Sequence, residues 1–253
     1  MSAYAGRYAE LYDLFYADKD YAVEAGWIDR RLREEGVRDG AHILDVACGT
    51  GSHALALARL GHQLTGVDVS EGMTARARAK ADDAGIDATF LTHDMRTLPV
   101  LGPFDGATCL FDSLGYAVTN SAILEALRGI RRSLRDGALL IVEFWHAAAM
   151  LRSHDATRVR RFSVAGSDVV RISETTLAVE DQVSEVRYTV IEGGPDGTSS
   201  TSTEVHRNRW FLVQEMDLLL TSAGYSVRSN NDGFTDEPVS LDTWHVVTTA
   251  VAT

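Results

Sequence analysis

Short apolar segments at 42–47, 63–67, 88–91, 104–111 and 138–144, with helical spacing at 52–60, 71–84 and 121–134 between them, restrict this chain more than any other feature. Strands that alternate with helices form βαβ units and a parallel sheet. These strands are apolar on both faces, as a sheet covered on two sides requires. Two amphipathic stretches within 8–36 precede the alternation and read as N-terminal helices. Beyond residue 155 the pattern changes to strand-like alternation at 159–164, 169–179, 183–191 and 202–211, with a turn at 193–197. That is an antiparallel β-rich insertion after the fifth strand. A helix at 214–223 and strands at 225–228 and 244–250 then rejoin the main sheet.

Charge and cysteine content remove several classes of function. The 253 residues carry 36 Asp and Glu against 24 Lys and Arg, a formal charge of −12, and no basic stripe. A phosphate backbone or an anionic lipid surface would be repelled, so neither nucleic acid nor membrane is expected as a partner. No apolar run approaches the roughly 18 residues of a spanning helix, and the polar stretch from Met1 to Arg7 lacks the apolar core of a signal peptide. The chain therefore reads as cytoplasmic. Cys48 and Cys109 lie in apolar segments without a CxxC spacing and read as buried spectators.

The chemistry-bearing stretch is Asp45-Val46-Ala47-Cys48-Gly49-Thr50-Gly51, a strand that runs into a glycine turn and then a helix. Such a turn lets backbone approach a ligand closely. Asp68 ends the next strand, 17 residues beyond Gly51, where a carboxylate can accept both hydrogen bonds of a ribose diol. Asp94 and Met95 follow the third strand. The order of that run, then Gly66-Val67-Asp68-Val69-Ser70-Glu71-Gly72-Met73, then His93-Asp94-Met95, resembles the class I S-adenosylmethionine (SAM)-dependent methyltransferases. It departs from the G-x-G-x-x-G of nicotinamide enzymes, whose third glycine would fall at Ala54.

That resemblance implies a Rossmann-like doubly wound α/β fold. Its parts would be an N-terminal helical lid at 1–40, a SAM-binding core at 41–152, the β insertion at 153–211, and a helix and strands at 212–253 that complete the core. Tyr8-Ala9-Glu10-Leu11-Tyr12-Asp13 and Lys19-Asp20-Tyr21 are similar to bacterial enzymes that N,N-dimethylate amino sugars for antibiotics. Likeness to those enzymes implies SAM contacts from Tyr12 and Tyr21, with Tyr4 closing over the site. It also implies Ala47, Gly49 and Gly51 at the turn, Asp68 at the ribose, Val69, Asp94 and Met95 about the adenine, and a further contact at Leu110. Asp112-Ser113-Leu114-Gly115-Tyr116 stands where those enzymes have Ser-Ser-Ile-Gly-His, and Glu143-Phe144-Trp145-His146 where they have Glu-Pro-Trp-Trp. Their arginine-bearing glycine loop is replaced by the acidic segment 230–238, poorly suited to a nucleotide diphosphate.

Methyl transfer from a sulfonium asks the protein mainly for proximity and orientation, with no metal. Tyrosine faces could hold the cation, although Tyr8, Tyr12 and Tyr16 at i, i+4 spacing equally suit packing of one helix onto the sheet. On the acceptor side the candidates are Glu143, Asp112, His146 and Tyr116. Glu143 interrupts an apolar strand, an expensive position for an unpartnered carboxylate. His42, His53, His62, His93, His154, His206 and His245 show no metal-ligand spacing and read as structural or surface residues. The reading is a SAM-dependent enzyme acting on a small-molecule amine. Methylation of a sugar or phenolic hydroxyl, and a non-catalytic SAM-binding regulator, are the rivals. The edge strands of the insertion lead to an expected homodimer.

Overall fold

The computed structural model describes residues 6–164, 167–194 and 197–253. Tyr4 lies outside them. Two helices come first, α1 (Gly6–Phe15) and α2 (Tyr21–Glu34). The start of α2 is fixed by Asp20, whose carboxylate accepts the Val23 N–H at 3.0 Å. The alternation follows as β1 (His42–Val46), α3 (Ser52–Arg59), β2 (Gln63–Asp68), α4 (Glu71–Ala84), β3 (Ala88–Thr92), β4 (Phe104–Cys109), α5 (Asn120–Arg132) and β5 (Leu134–Trp145). Helix α4 shows how sequence sets these limits. The Ser70 hydroxyl accepts the Met73 N–H at its start, and Gly85 ends it at a φ of +63°.

After β5 come α6 (Ala147–Ser153), the strands β6 (Thr157–Val164), β7 (Ser167–Ala178), β8 (Val183–Gly193) and β9 (Ser199–Arg209), helix α7 (Val213–Ser222), β10 (Tyr225–Asp232) and β11 (His245–Ala252). Helix α6 is absent from the sequence reading. Its Ala-Ala-Ala-Met-Leu core has no amphipathic period, so only alanine's high helix propensity announces it.

The central sheet has the order β10-β11-β5-β4-β1-β2-β3, and only β11 runs against its neighbours. The chain winds outward from β1 on one side through β2 and β3, then on the other through β4 and β5. That reversal opens a crevice at the carboxyl ends of β1 and β4. Leu44, Val46, Leu140 and Val142 meet α5 and α7 on one face, while Ile43, Leu139, Ile141 and Val247 meet α2, α3 and α4 on the other. Each such fully buried aliphatic side chain contributes about 1.5–3 kcal/mol.

Strands β6 to β9 form a separate antiparallel sheet in sequence order. Helix α1 packs on this second sheet, with Tyr8, Leu11 and Phe15 against Val169 and Val190. The insertion and the N-terminal helix thus build one unit over the carboxyl edge of the core. Among the described residues no helix is long and apolar enough to cross a membrane.

Candidate active site

The glycine turn after β1 is held in backbone states that few residues adopt. Ala47, Gly49 and Gly51 have φ of +56°, +54° and +76°. A non-glycine residue there stores local strain, a feature of ligand-binding turns. The two glycines differ in purpose. A Cβ at Gly49 would meet nothing within 4 Å, so its face is open, whereas one at Gly51 would fall 3.0 Å from both the Ala77 Cβ and the Phe90 ring. Gly51 therefore lets α3 start against α4 and β3.

Asp68, at the end of β2, accepts the Gly49 N–H at 2.9 Å and the Ser70 N–H at 2.8 Å. Burial raises its carboxyl pKa and the two N–H donors pull it back. Beneath the turn, burial pushes the Asp45 carboxyl up to about 6 despite a 2.8 Å bond from the Thr108 hydroxyl. A cavity of about 450 Å³ opens above, lined by Ala47, Gly49, Asp68, Val69, Asp94, Met95, Tyr12, Phe111 and Tyr116. Asp94 is gripped by Arg96, whose Nη2 lies 2.5 Å from its Oδ2. Tyr21 and Leu110 line a smaller recess beside Ala47 and Gly49. The ring edge of Tyr21 meets His53 at 4.8 Å.

A second cavity of about 340 Å³ adjoins the first through Phe111 and Tyr116, which line both. Asp112 and His245 lie on its wall. His245 Nδ1 sits 2.9 Å from Glu143 Oε1 and 3.3 Å from Asp112 Oδ2, and the other oxygen of Glu143 accepts the Phe111 N–H at 2.6 Å. Burial opposes every charge in this group. It pushes Asp112 up to about 6 against the pull of His245, whereas for Glu143 the contact with His245 outweighs burial and holds the carboxyl at about 2. For His245, burial is outweighed by the two carboxylates, which raise it well above its ordinary value. That shift favours the imidazolium form of His245 at neutral pH. The three groups offer donor atoms within 4.8 Å of one another, a set that would also suit a divalent cation, but the imidazolium already supplies the positive charge. Asp112 Oδ1 is buried with no hydrogen-bond partner among the described residues.

Tyr116 is the third polar group here. Its hydroxyl lies 2.9 Å from His206 Nδ1, and His206 Nε2 lies 3.1 Å from Glu204 Oε2. With the Nε2 proton directed at Glu204, Nδ1 accepts from Tyr116. Both His206 and Glu204 come from β9, so the insertion supplies this chain of contacts.

Comparison with known proteins shows the family of the chain. Residues 43–137 match a family model described as a methyltransferase domain. The chain is 32% identical over 228 residues, 88% of its own length and 86% of the other's, to dTDP-3-amino-3,6-dideoxy-alpha-D-glucopyranose N,N-dimethyltransferase of Streptomyces fradiae. The chain belongs to the SAM-dependent methyltransferases. This methyltransferase also superposes on the sugar N-methyltransferase KedS8 of Streptoalloteichus sp with a TM-score of 0.79, 28% identity and 98% and 96% of the two chains covered. A SAM-dependent methyltransferase from Clostridium acetobutylicum gives a TM-score of 0.84 at 20% identity, over 97% and 98% of the chains, a likeness of fold.

The first cavity of this methyltransferase fits the cofactor. Gly49 leaves room for a ligand against the turn, Asp68 presents a pinned carboxylate, and Val69 and Met95 supply apolar surface beside Asp94. Of the acceptor-side residues read from sequence, the structure brings Asp112 and Tyr116 to the second cavity. Glu143 stands behind the wall, 2% exposed, and reaches the cavity only through His245 and the Phe111 backbone. His146 departs further from expectation. It is buried at the start of α6 with Nδ1 3.2 Å from the Thr243 carbonyl, and it lines neither cavity. Its place is taken by His245, read from sequence as structural. The missed signal was the direction of the last strand. An antiparallel β11 brings its first residue to the carboxyl edge, opposite Trp145.

Proposed function

We propose that this methyltransferase N-methylates a small-molecule amine, with an amino sugar as the substrate class favoured by its relatives. The observation that carries the reading is the group of buried Asp112 and Glu143 with half-exposed His245, net negative when both carboxylates are ionised, with a carboxylate oxygen of Asp112 left unpartnered among the described residues. A buried oxygen without a donor is costly, about 1–3 kcal/mol, and an ammonium or amine N–H would satisfy it. Bound in the first cavity, SAM supplies an electrophilic methyl group on sulfur. The residues of this chain do the rest. Asp112 draws the amine against the wall and turns its lone pair toward the shared mouth formed by Phe111 and Tyr116. Glu143 fixes His245, which keeps Asp112 oriented. Tyr116 accepts a hydrogen bond at the junction, while its own proton is donated to His206 Nδ1. Fixing the reactants in this way supplies most of the acceleration expected of such a reaction.

The Tyr116–His206–Glu204 contacts favour a second reading, transfer to a hydroxyl that this chain deprotonates. Mass spectrometry on matched pairs of amino sugars and their hydroxyl analogues separates the two. The amines should gain one or two methyl groups and the hydroxyl partners none. Equal methylation of the hydroxyl partners would contradict the amine reading.

A further inference from the structure

The second sheet turns one face toward the acceptor cavity, and that face carries arginine. In the β6–β7 ladder Arg160 stands directly opposite Arg171, and Arg158 opposite Ser173. Residues two apart share a face, so the three arginines lie on one side, and all three line the cavity that Asp112 and His245 also line. Two of them already have carboxylate partners. Arg158 Nη2 is 2.8 Å from Asp155, and Arg160 Nη2 is 2.7 Å from Asp18.

Arg171 is different. It is 5% exposed, and among the described residues no carboxylate stands within 4 Å of its guanidinium. Among the described residues its Nε has no hydrogen-bond partner, Nη1 reaches the Tyr8 hydroxyl at 3.5 Å, and Tyr16 also hydrogen-bonds the guanidinium. The guanidinium is caged by the rings of Phe15, Tyr16, Phe162 and Tyr188, with Cζ 4.8 to 5.9 Å from their centroids. An arginine cannot shed its proton, and a buried charge is ordinarily paired. Ring faces offset part of the desolvation but leave Nε unpartnered and the guanidinium without an anionic acceptor among the described residues. A planar fork of this kind matches a carboxylate or a phosphate. The acidic segment 230–238 does not compete for that role, because Asp236 is bound to Arg30 and Arg31 of α2, 2.9 and 2.7 Å away.

We infer that Arg171 is an anion subsite of the acceptor cavity, so that the acceptor carries a carboxylate or phosphate in addition to the group that is methylated. The inference deepens the amine reading and rests on it. Tyr16 lies between the two ends of the cavity. Its ring lies 5.4 Å from Arg171 Cζ and meets Phe111 edge-on at 4.9 Å, and the Phe111 N–H holds Glu143. These ring contacts connect the guanidinium to the loop that carries Asp112.

The test uses the whole protein saturated with S-adenosylhomocysteine, titrated calorimetrically with glucosamine, glucosamine 6-phosphate and glucosaminic acid. These share an amine and differ in carrying no anion, a phosphate or a carboxylate. The wild type should bind one of the anionic probes at least tenfold more tightly than glucosamine, and the preferred probe identifies the anion. Arg171→Met should erase that preference with S-adenosylhomocysteine affinity unchanged, and Arg171→Lys should keep part of it, which guards against a methionine variant that fails to fold. Absence of any anion preference in the wild type, whether the probes bind alike or none binds, overturns the inference, as does a preference that survives in Arg171→Met. Failure of S-adenosylhomocysteine to bind at all would instead strike at the cofactor site beneath the amine reading.

Discussion

At the residue scale, Asp112, Glu143 and His245 place together charges that would each be costly alone. Glu143 was legible in the sequence as a carboxylate inside an apolar strand, but its partner was not. His245 lies 102 residues further on, and only the pairing of β11 with β5 unites them. Glu143→Gln keeps the volume and removes the charge that fixes His245. Turnover should fall about 10²-fold with near-normal SAM affinity, measured by steady-state kinetics beside calorimetry. Asp112 gives a pH signature. Below its value of about 6 the group is neutral, with Glu143 negative and His245 positive, whereas above it the net charge is −1 and a cationic acceptor is attracted. Amine kcat/KM should therefore climb through pH 6, and Asp112→Asn should lack that limb. A limb that persists in the variant would assign it to another group.

At the element scale, alternating strands and helices were readable because a parallel sheet covered on both faces leaves near-continuous apolar runs. The glycine turn was equally plain, yet sequence could not divide its labour between Gly49, which faces open space, and Gly51, which faces α4. Gly51→Leu should lower the melting temperature and weaken SAM binding together, since a side chain there must push on Ala77 and Phe90 from a strained backbone. Differential scanning fluorimetry with and without SAM would check this, and an unaltered melting temperature would contradict it. Helix α1 was less legible. Its aromatic repeat fits any sheet, and the tertiary structure chooses the insertion over the core.

At the scale of the whole molecule, two cavities from different structural layers meet at Phe111 and Tyr116. The core supplies the first cavity, while the insertion brings Arg171 to the second and His206 to Tyr116 between them. We also propose that the insertion mediates a homodimer, because β6 is an edge strand of the second sheet and Val159 and Val205 are exposed on that sheet. Light scattering at tens of micromolar should give twice the 27.6 kDa chain mass, and a monomeric mass would reject the proposal. The central claim, that an amine is held by the Asp112–His245 wall in line with the methyl group, is tested most directly by a crystal structure with S-adenosylhomocysteine and a methylated amine product. The account predicts the product nitrogen against Asp112 and its methyl group within about 3–3.5 Å of the cofactor sulfur, beside Tyr116. A nitrogen seated elsewhere, with Asp112 and His245 unoccupied, would contradict it.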